Sequence, residues 1–241
     1  MSFYSSISNY YDLIFPISAE QENFFAELVR DFKPRRVLDA ACGSGSQLLC
    51  FAKRGLSCAG FDSDPEMVTL ARKKFSVFDD VAILEGTFDE MKDMFEPGFD
   101  LIMNIGNSLV HVPRDDAGKF IRDAADLLNN EGMLLIQILN YDRIFEQKIE
   151  ELPLITVSSH DISFRRSYTF TSNEKVIFKT IVEVPSKGIT ISNSLPLFPI
   201  KKDRLITMIQ NAGLHVMGIF PGFVGKKYTA ESDALVVLAK K

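Results

Sequence analysis

The chain has 241 residues, 46% of them hydrophobic, and a formal net charge of −5. That suffices for one large domain or a domain with an insertion. Basic residues occur only in short clusters such as Arg72-Lys73-Lys74 and Lys226-Lys227, so a nucleic-acid partner is disfavoured.

A first helix is predicted from about Ser18 to Phe32, capped by Ser18, with Phe24, Phe25, Leu28 and Val29 on one face. The first strand follows, Arg36 to Asp39, then a glycine turn and a helix starting at Gln47. The second strand, Ser57 to Phe61, ends at Asp62. Asp64 and Pro65 open another helix, as cap and first-turn proline. Further strands are expected at Val81 to Leu84, Phe99 to Asn104 and Met133 to Leu139, with a helix from Arg114 to Leu128. Strands alternating with helices imply a mostly parallel sheet covered on both faces. After about Ile149 the pattern becomes β-rich: Leu154 to Val157, Ile162 to Phe170, Val176 to Val184 and Ile189 to Ser194. The turns are short, Asn173-Glu174 and Ser186-Lys187-Gly188, so an antiparallel meander is expected. A helix, Lys202 to Asn211, and strands at Val216 to Phe220 and Ala234 to Ala239 close the chain. Residues 1–149 and 200–241 are thus read as the parent domain, and 150–199 as a β lid inserted after the fifth strand.

No apolar run reaches the ~20 residues of a membrane helix, and the N-terminus lacks a signal-peptide pattern. Cys42, Cys50 and Cys58 and the three scattered histidines give no metal-ligand spacing. A cytoplasmic protein without metal or membrane partner is expected, a monomer or homodimer.

Ligands of open parallel sheets bind beyond the carboxyl ends of the strands. That rule selects Asp39, Asp62, Glu85 to Phe88 and Asn104 to His111. In Val37-Leu38-Asp39-Ala40-Ala41-Cys42-Gly43-Ser44-Gly45-Ser46, an apolar strand runs into a turn that brings backbone N–H groups to a ligand. A dinucleotide site would carry a third glycine where Leu48 stands. Asp62, about twenty residues past the turn, is placed to accept from ribose hydroxyls. Its bland alternative is a helix cap, a job for which Asp64 is better placed. In Ile162 to Phe170, strand alternation puts Arg166 and Tyr168 among apolar residues. A guanidinium there wants a partner, either a substrate carboxylate or phosphate or an acid of the parent domain.

These strings, in this order, resemble the class I S-adenosylmethionine-dependent methyltransferases. The resemblance implies a Rossmann-like seven-stranded α/β sheet, mostly parallel with a reversed last strand, binding S-adenosyl-L-methionine. Asp39, Ala41, Gly43 and Gly45 would then meet the cofactor's amino-acid part, and Asp62 and Ser63 its ribose. Met67, Gly86, Thr87 and Phe88 would meet its adenine, Met67 being equally readable as core. The string Asn104-Ile105-Gly106-Asn107-Ser108-Leu109-Val110-His111 is similar to the glycine/sarcosine N-methyltransferase type. It implies that Asn104 and Gly106 face the cofactor, Asn107 the substrate, and that His111 orients or deprotonates an acceptor. A helix-start histidine is the alternative. Tyr10 and Tyr11 resemble the N-terminal segment that folds over the cofactor, Tyr10 as a catalytic and Tyr11 as a cofactor-binding residue; an aromatic staple is the alternative. The implied activity is methyl transfer to a small-molecule amine. The alternatives are O-methylation of a small acid or hydroxyl metabolite, a non-catalytic S-adenosylmethionine-binding module, and an NAD-dependent oxidoreductase.

Overall fold

The computed structural model describes residues 3–171 and 175–241; the turn expected at Asn173-Glu174 lies outside them. The chain opens with helices α1 (Phe3–Ile14) and α2 (Ala19–Phe32). It continues through β1 (Arg36–Ala40), α3 (Ser46–Ala52), β2 (Ser57–Asp62), α4 (Pro65–Phe75) and β3 (Val81–Glu85). Then come α5 (Met91–Met94), β4 (Phe99–Asn104), α6 (Arg114–Leu127), β5 (Leu128–Leu139) and α7 (Tyr141–Glu146). Next are β6 (Glu151–Val157), β7 (Ile162–Phe170), β8 (Val176–Val184) and β9 (Ile189–Leu197), and the chain ends with α8 (Lys202–Asn211), β10 (His215–Phe220) and β11 (Ala234–Lys240).

The main sheet has seven strands in the order β10-β11-β5-β4-β1-β2-β3. β11 is antiparallel to both neighbours and the remaining pairs are parallel, so the last strand alone is reversed. Alternate strand residues feed two cores. Val37, Leu101 and Leu135 meet α2, α3 and α4 on one face. Leu38, Ile102 and Leu134 meet α6 and α8 on the other. A glycine lets helix and sheet approach closely, but it is on the strand: a Cβ at Gly60 would lie 3.1 Å from Leu48. Leu48, fully buried, fills the space that a third turn glycine leaves open in a dinucleotide fold.

The expected helix ends are present. Ser18 and Gln21 form a reciprocal capping box on α2, and Asp64 accepts from the N–H groups of Glu66 and Met67 at the start of α4. Residues 151–197 form a separate four-stranded antiparallel sheet, β6-β7-β8-β9. Part of its inner face, including Phe164 and Val182, packs on Ile7 and Ile14 of α1. Helix α1 itself was not among the expected elements.

Candidate active site

A cleft of about 490 Å³ opens beyond the carboxyl ends of β1, β2, β3 and β4, within the size range of small-ligand sites. Of the expected residues, Tyr11, Ala41, Gly43, Asp62, Ser63, Met67, Gly86, Thr87, Phe88, Gly106 and His111 line it. The turn after β1 needs left-handed backbone at Ala41 and Gly43, with φ of 63° and 55°. Its Gly43 N–H donates to Asp62 Oδ2 at 2.8 Å, and Asp62 Oδ1 accepts from Asp64 N–H at 2.9 Å. Burial raises the Asp62 carboxyl, and these N–H groups partly offset it.

Asp39 and Asn104 stand behind the turn, on adjacent strands. Asp39 is 2% exposed, and burial, with the Asp62 charge second, raises its carboxyl well above the usual range. Asn104 Nδ2 donates to Ala40 O at 2.8 Å, while its buried Oδ1 has no hydrogen-bond partner among the described residues. An orphaned acceptor and a buried carboxyl on adjacent strands suit an ammonium group, such as that of an amino-acid moiety, which would favour the carboxylate form. Met67 is 1% exposed and serves as both core and cleft wall. Thr87 N–H and Oγ each donate to Glu90 Oε2 at 2.9 Å, so Thr87 starts a short helix as well as lining the cleft.

Several expected residues are placed otherwise. Gly45 does not line the cleft: with φ 78° it starts α3, and a Cβ there would lie 2.5 Å from the Phe75 ring. Its glycine is required by α3–α4 packing. The Asn107 side chain holds its own loop, Nδ2 donating to Tyr141 Oη and Oδ1 accepting from Leu139 N–H, each at 3.0 Å. Tyr10 points away from the cleft, its ring 5.3 Å from Lys187 Nζ at the second sheet. Arg166 and Tyr168 face inward from β7 but are not on the cleft wall. Among the described residues no acid pairs with Arg166; its Nη2 donates to Pro153 O at 2.8 Å.

The residue that sequence reasoning missed is Tyr4. It lines the cleft, its Oη is 3.3 Å from His111 Nε2, and its ring meets Tyr11 edge-on at 6.2 Å. Burial raises both tyrosine hydroxyls and lowers the His111 imidazole to about 4. At neutral pH this wall therefore presents two phenols and a neutral imidazole. Ser5 on the same helix donates to Asp64 from both N–H and Oγ.

A seven-stranded sheet of this order, with a glycine turn tied to an acid on the next strand, is the architecture expected of a class I S-adenosylmethionine-dependent methyltransferase. Residues 37–132 match the family model of a methyltransferase domain. The glycine/sarcosine N-methyltransferase of Aphanothece halophytica is 21% identical over 93% of this chain and 83% of that enzyme. The glycine N-methyltransferase of Oryctolagus cuniculus is 29% identical, with 53% of this chain covering 48% of that enzyme, about half its length. In fold, an S-adenosylmethionine-dependent methyltransferase from Clostridium acetobutylicum superposes with a TM-score of 0.83, at 15% identity and 99% coverage of both chains. The chain is an S-adenosylmethionine-dependent methyltransferase of class I.

Proposed function

We propose that the protein methylates the nitrogen of a small-molecule amine. The observation that carries this is the cluster of Tyr4, Tyr11 and His111 on the cleft wall, with Tyr4 Oη 3.3 Å from His111 Nε2, where burial favours protonated phenols and a neutral imidazole. None of the three is poised near neutrality to remove a proton from a hydroxyl. An amine arriving neutral already offers its lone pair. His111 can accept an N–H hydrogen bond, or hold the Tyr4 hydroxyl toward the acceptor. The relatives named for glycine and sarcosine N-methylation point the same way.

S-adenosylmethionine, when bound, supplies the methyl carbon. Gly43 and Ala41 would hold its amino-acid part with Asp39 and Asn104, Asp62 and Ser63 its ribose, and Met67, Gly86, Thr87 and Phe88 its adenine. What remains for the chain is to fix the acceptor's orientation and to keep water out. Helix α1 and the second sheet, acting as a lid, do both. No helix among the described residues is long and apolar enough to cross a membrane, and the three cysteines are free and buried, as in a protein of a reducing cytoplasm.

Calorimetry with S-adenosylhomocysteine, followed by methyl transfer to a panel of small primary and secondary amines and matching alcohols, tests the reading. Transfer to amines and not to alcohols is expected. Transfer to alcohols alone would replace it with O-methylation. Tight binding of the sulfur ligand without transfer to any member would identify a binding module.

A further inference from the structure

Strand β5 contains the run Met133-Leu134-Leu135-Ile136-Gln137-Ile138-Leu139, flanked by β4 and β11. Gln137 is the polar interruption of that run, and it is 9% exposed. Alternation puts it on the same face as Leu135, toward the core that holds α2, α3 and α4. It does not line the cleft. A buried amide in an apolar strand needs a partner to account for it.

The partner is the loop after β4. Gly106 N–H donates to Gln137 Oε1 at 2.7 Å, and Asn107 N–H donates to Gln137 O at 3.2 Å. Both loop residues are left-handed, with φ of 82° and 65°. Such backbone persists at a residue with a side chain only where its surroundings hold it. One residue of β5 therefore takes both N–H groups of the turn. Any residue at 137 could supply the backbone carbonyl. The bond to Gly106 needs an acceptor at the end of a side chain of this length.

The turn sits between two parts of the site. Before it stands Asn104, whose buried Oδ1 has no hydrogen-bond partner among the described residues. After it, Ser108 and His111 line the cleft, and His111 Nε2 lies 3.3 Å from Tyr4 Oη. Other bonds hold the loop from Asn107 onward. The Asn107 side chain bonds to Leu139 N–H and Tyr141 Oη, and Phe198 N–H donates to Val110 O at 2.7 Å. Gln137 Oε1 holds Gly106 itself, where the chain leaves β4 and enters the cleft wall.

We propose that Gln137 is a positioning residue for methyl transfer. It touches neither ligand; by fixing Gly106 it keeps Asn104 on the cofactor side and His111 on the acceptor side in register with each other. The acceptor lone pair must stand in line with the departing sulfur, and a misplacement of about 1 Å can cost on the order of 100-fold in rate. This rests on the N-methyltransferase reading, but the clamp can be tested apart from it.

Gln137→Met fills a similar volume without an acceptor and should melt within a few degrees of wild type. Gln137→Glu keeps an acceptor oxygen in either protonation state. The full chain, saturated with S-adenosylhomocysteine, is first followed by amide hydrogen exchange. Residues 104–112 of Gln137→Met should exchange roughly 10- to 100-fold faster, with the rest of the chain unchanged. Methyl transfer is then measured with the amine of the panel that wild type methylates fastest. For Gln137→Met, kcat should fall roughly 10- to 100-fold, while the acceptor KM and S-adenosylhomocysteine affinity stay within about three-fold. Gln137→Glu should recover most of both losses.

A purely structural glutamine would instead speed exchange throughout the chain and leave kcat of the folded enzyme unchanged, which overturns the proposal. A raised KM at constant kcat overturns it too, since that marks a binding residue. So does a Gln137→Glu as impaired as Gln137→Met. If Gln137→Met fails to fold, Gln137→Asn, which draws the same amide back by one methylene, takes its place. A wild type that methylates no amine overturns the amine reading instead. Exchange at 104–112 then decides the clamp: local acceleration supports it, and unchanged exchange removes it.

Discussion

The backbone N–H of Gly43 donates to Asp62 Oδ2 at 2.8 Å. The glycine turn and the acid of the next strand are therefore one unit: the carboxylate that would receive a ribose also fixes the turn that would cradle the amino-acid part. Each carboxylate oxygen keeps a further lone pair for a ligand hydroxyl. Asp62→Asn removes the charge and one acceptor. Because hydrogen bonds to charged groups are worth about 1.5–3 kcal/mol, S-adenosylhomocysteine should bind roughly 10- to 100-fold more weakly. Unchanged affinity in calorimetry would remove Asp62 from the ribose site.

Asp39 makes a second prediction through its proton. Burial raises its carboxyl well above the usual range, so between about pH 4 and the raised value the ligand-free protein holds a proton there. An ammonium bound beside it favours the carboxylate and expels that proton. Binding of S-adenosylhomocysteine should release up to about one proton within that window. Calorimetry in buffers of different ionisation enthalpy counts it. The release should vanish in Asp39→Asn, and a wild type that takes up protons instead would contradict the assignment.

His111 links pH to stability. Burial lowers its imidazole to about 4, against the ordinary 6.5. Between these values the unfolded chain binds the proton and the folded one does not. Stability therefore rises with pH through the window and falls as pH drops from 6.5 toward 4. The contribution is on the order of a few kcal/mol. Asp39 and Asp62, with raised carboxyls, act in the opposite sense, so the comparison must be with His111→Gln. Urea unfolding at several pH values should show wild type losing more stability than the variant between pH 6.5 and 4.5. Parallel curves would mean that the folded protein binds the proton normally.

The sequence showed the cofactor side of the cleft more clearly than the acceptor side, for local reasons. Gly43, Asp62 and Gly86 lie at the ends of strands whose apolar runs are unmistakable. Tyr4 was hidden because residues 3–14 were not read as a helix. In a helix, Tyr4 and Tyr11 are seven residues apart and share a face, while Tyr10 is turned about 100° from Tyr11. That period alone would have chosen Tyr4 over Tyr10. Strand β6 begins at Glu151 and not at Leu154, because Pro153 masks it; the proline is tolerated since β6 is an edge strand. Helix α7, six residues long, is too short for a period to show. Alternation along β7 did place Arg166 inward, yet no pattern could say that its Nη2 would donate to the Pro153 carbonyl.

Helix α1 is fastened across the cofactor turn, which bears on ligand exchange. The Asp12 carboxylate accepts from Ser44 Oγ, from Ser46 Oγ at 3.0 Å and from Lys74 Nζ at 2.9 Å. Burial pushes this carboxyl up, and Ser44, Lys74 and Ser46 more than reverse the effect, holding it below its usual value. The latch thus stays ionised well into the acid range. If ligands enter by displacement of α1, Asp12→Asn should speed S-adenosylhomocysteine release. The ion pair is about half exposed at Asp12, and such pairs contribute about 0–1 kcal/mol, so the gain is at most about five-fold. High salt should narrow the difference, since it screens the wild-type pair. Stopped-flow displacement at low and high ionic strength measures both effects. Identical release rates would mean that ligands pass by another route, with α1 fixed in place.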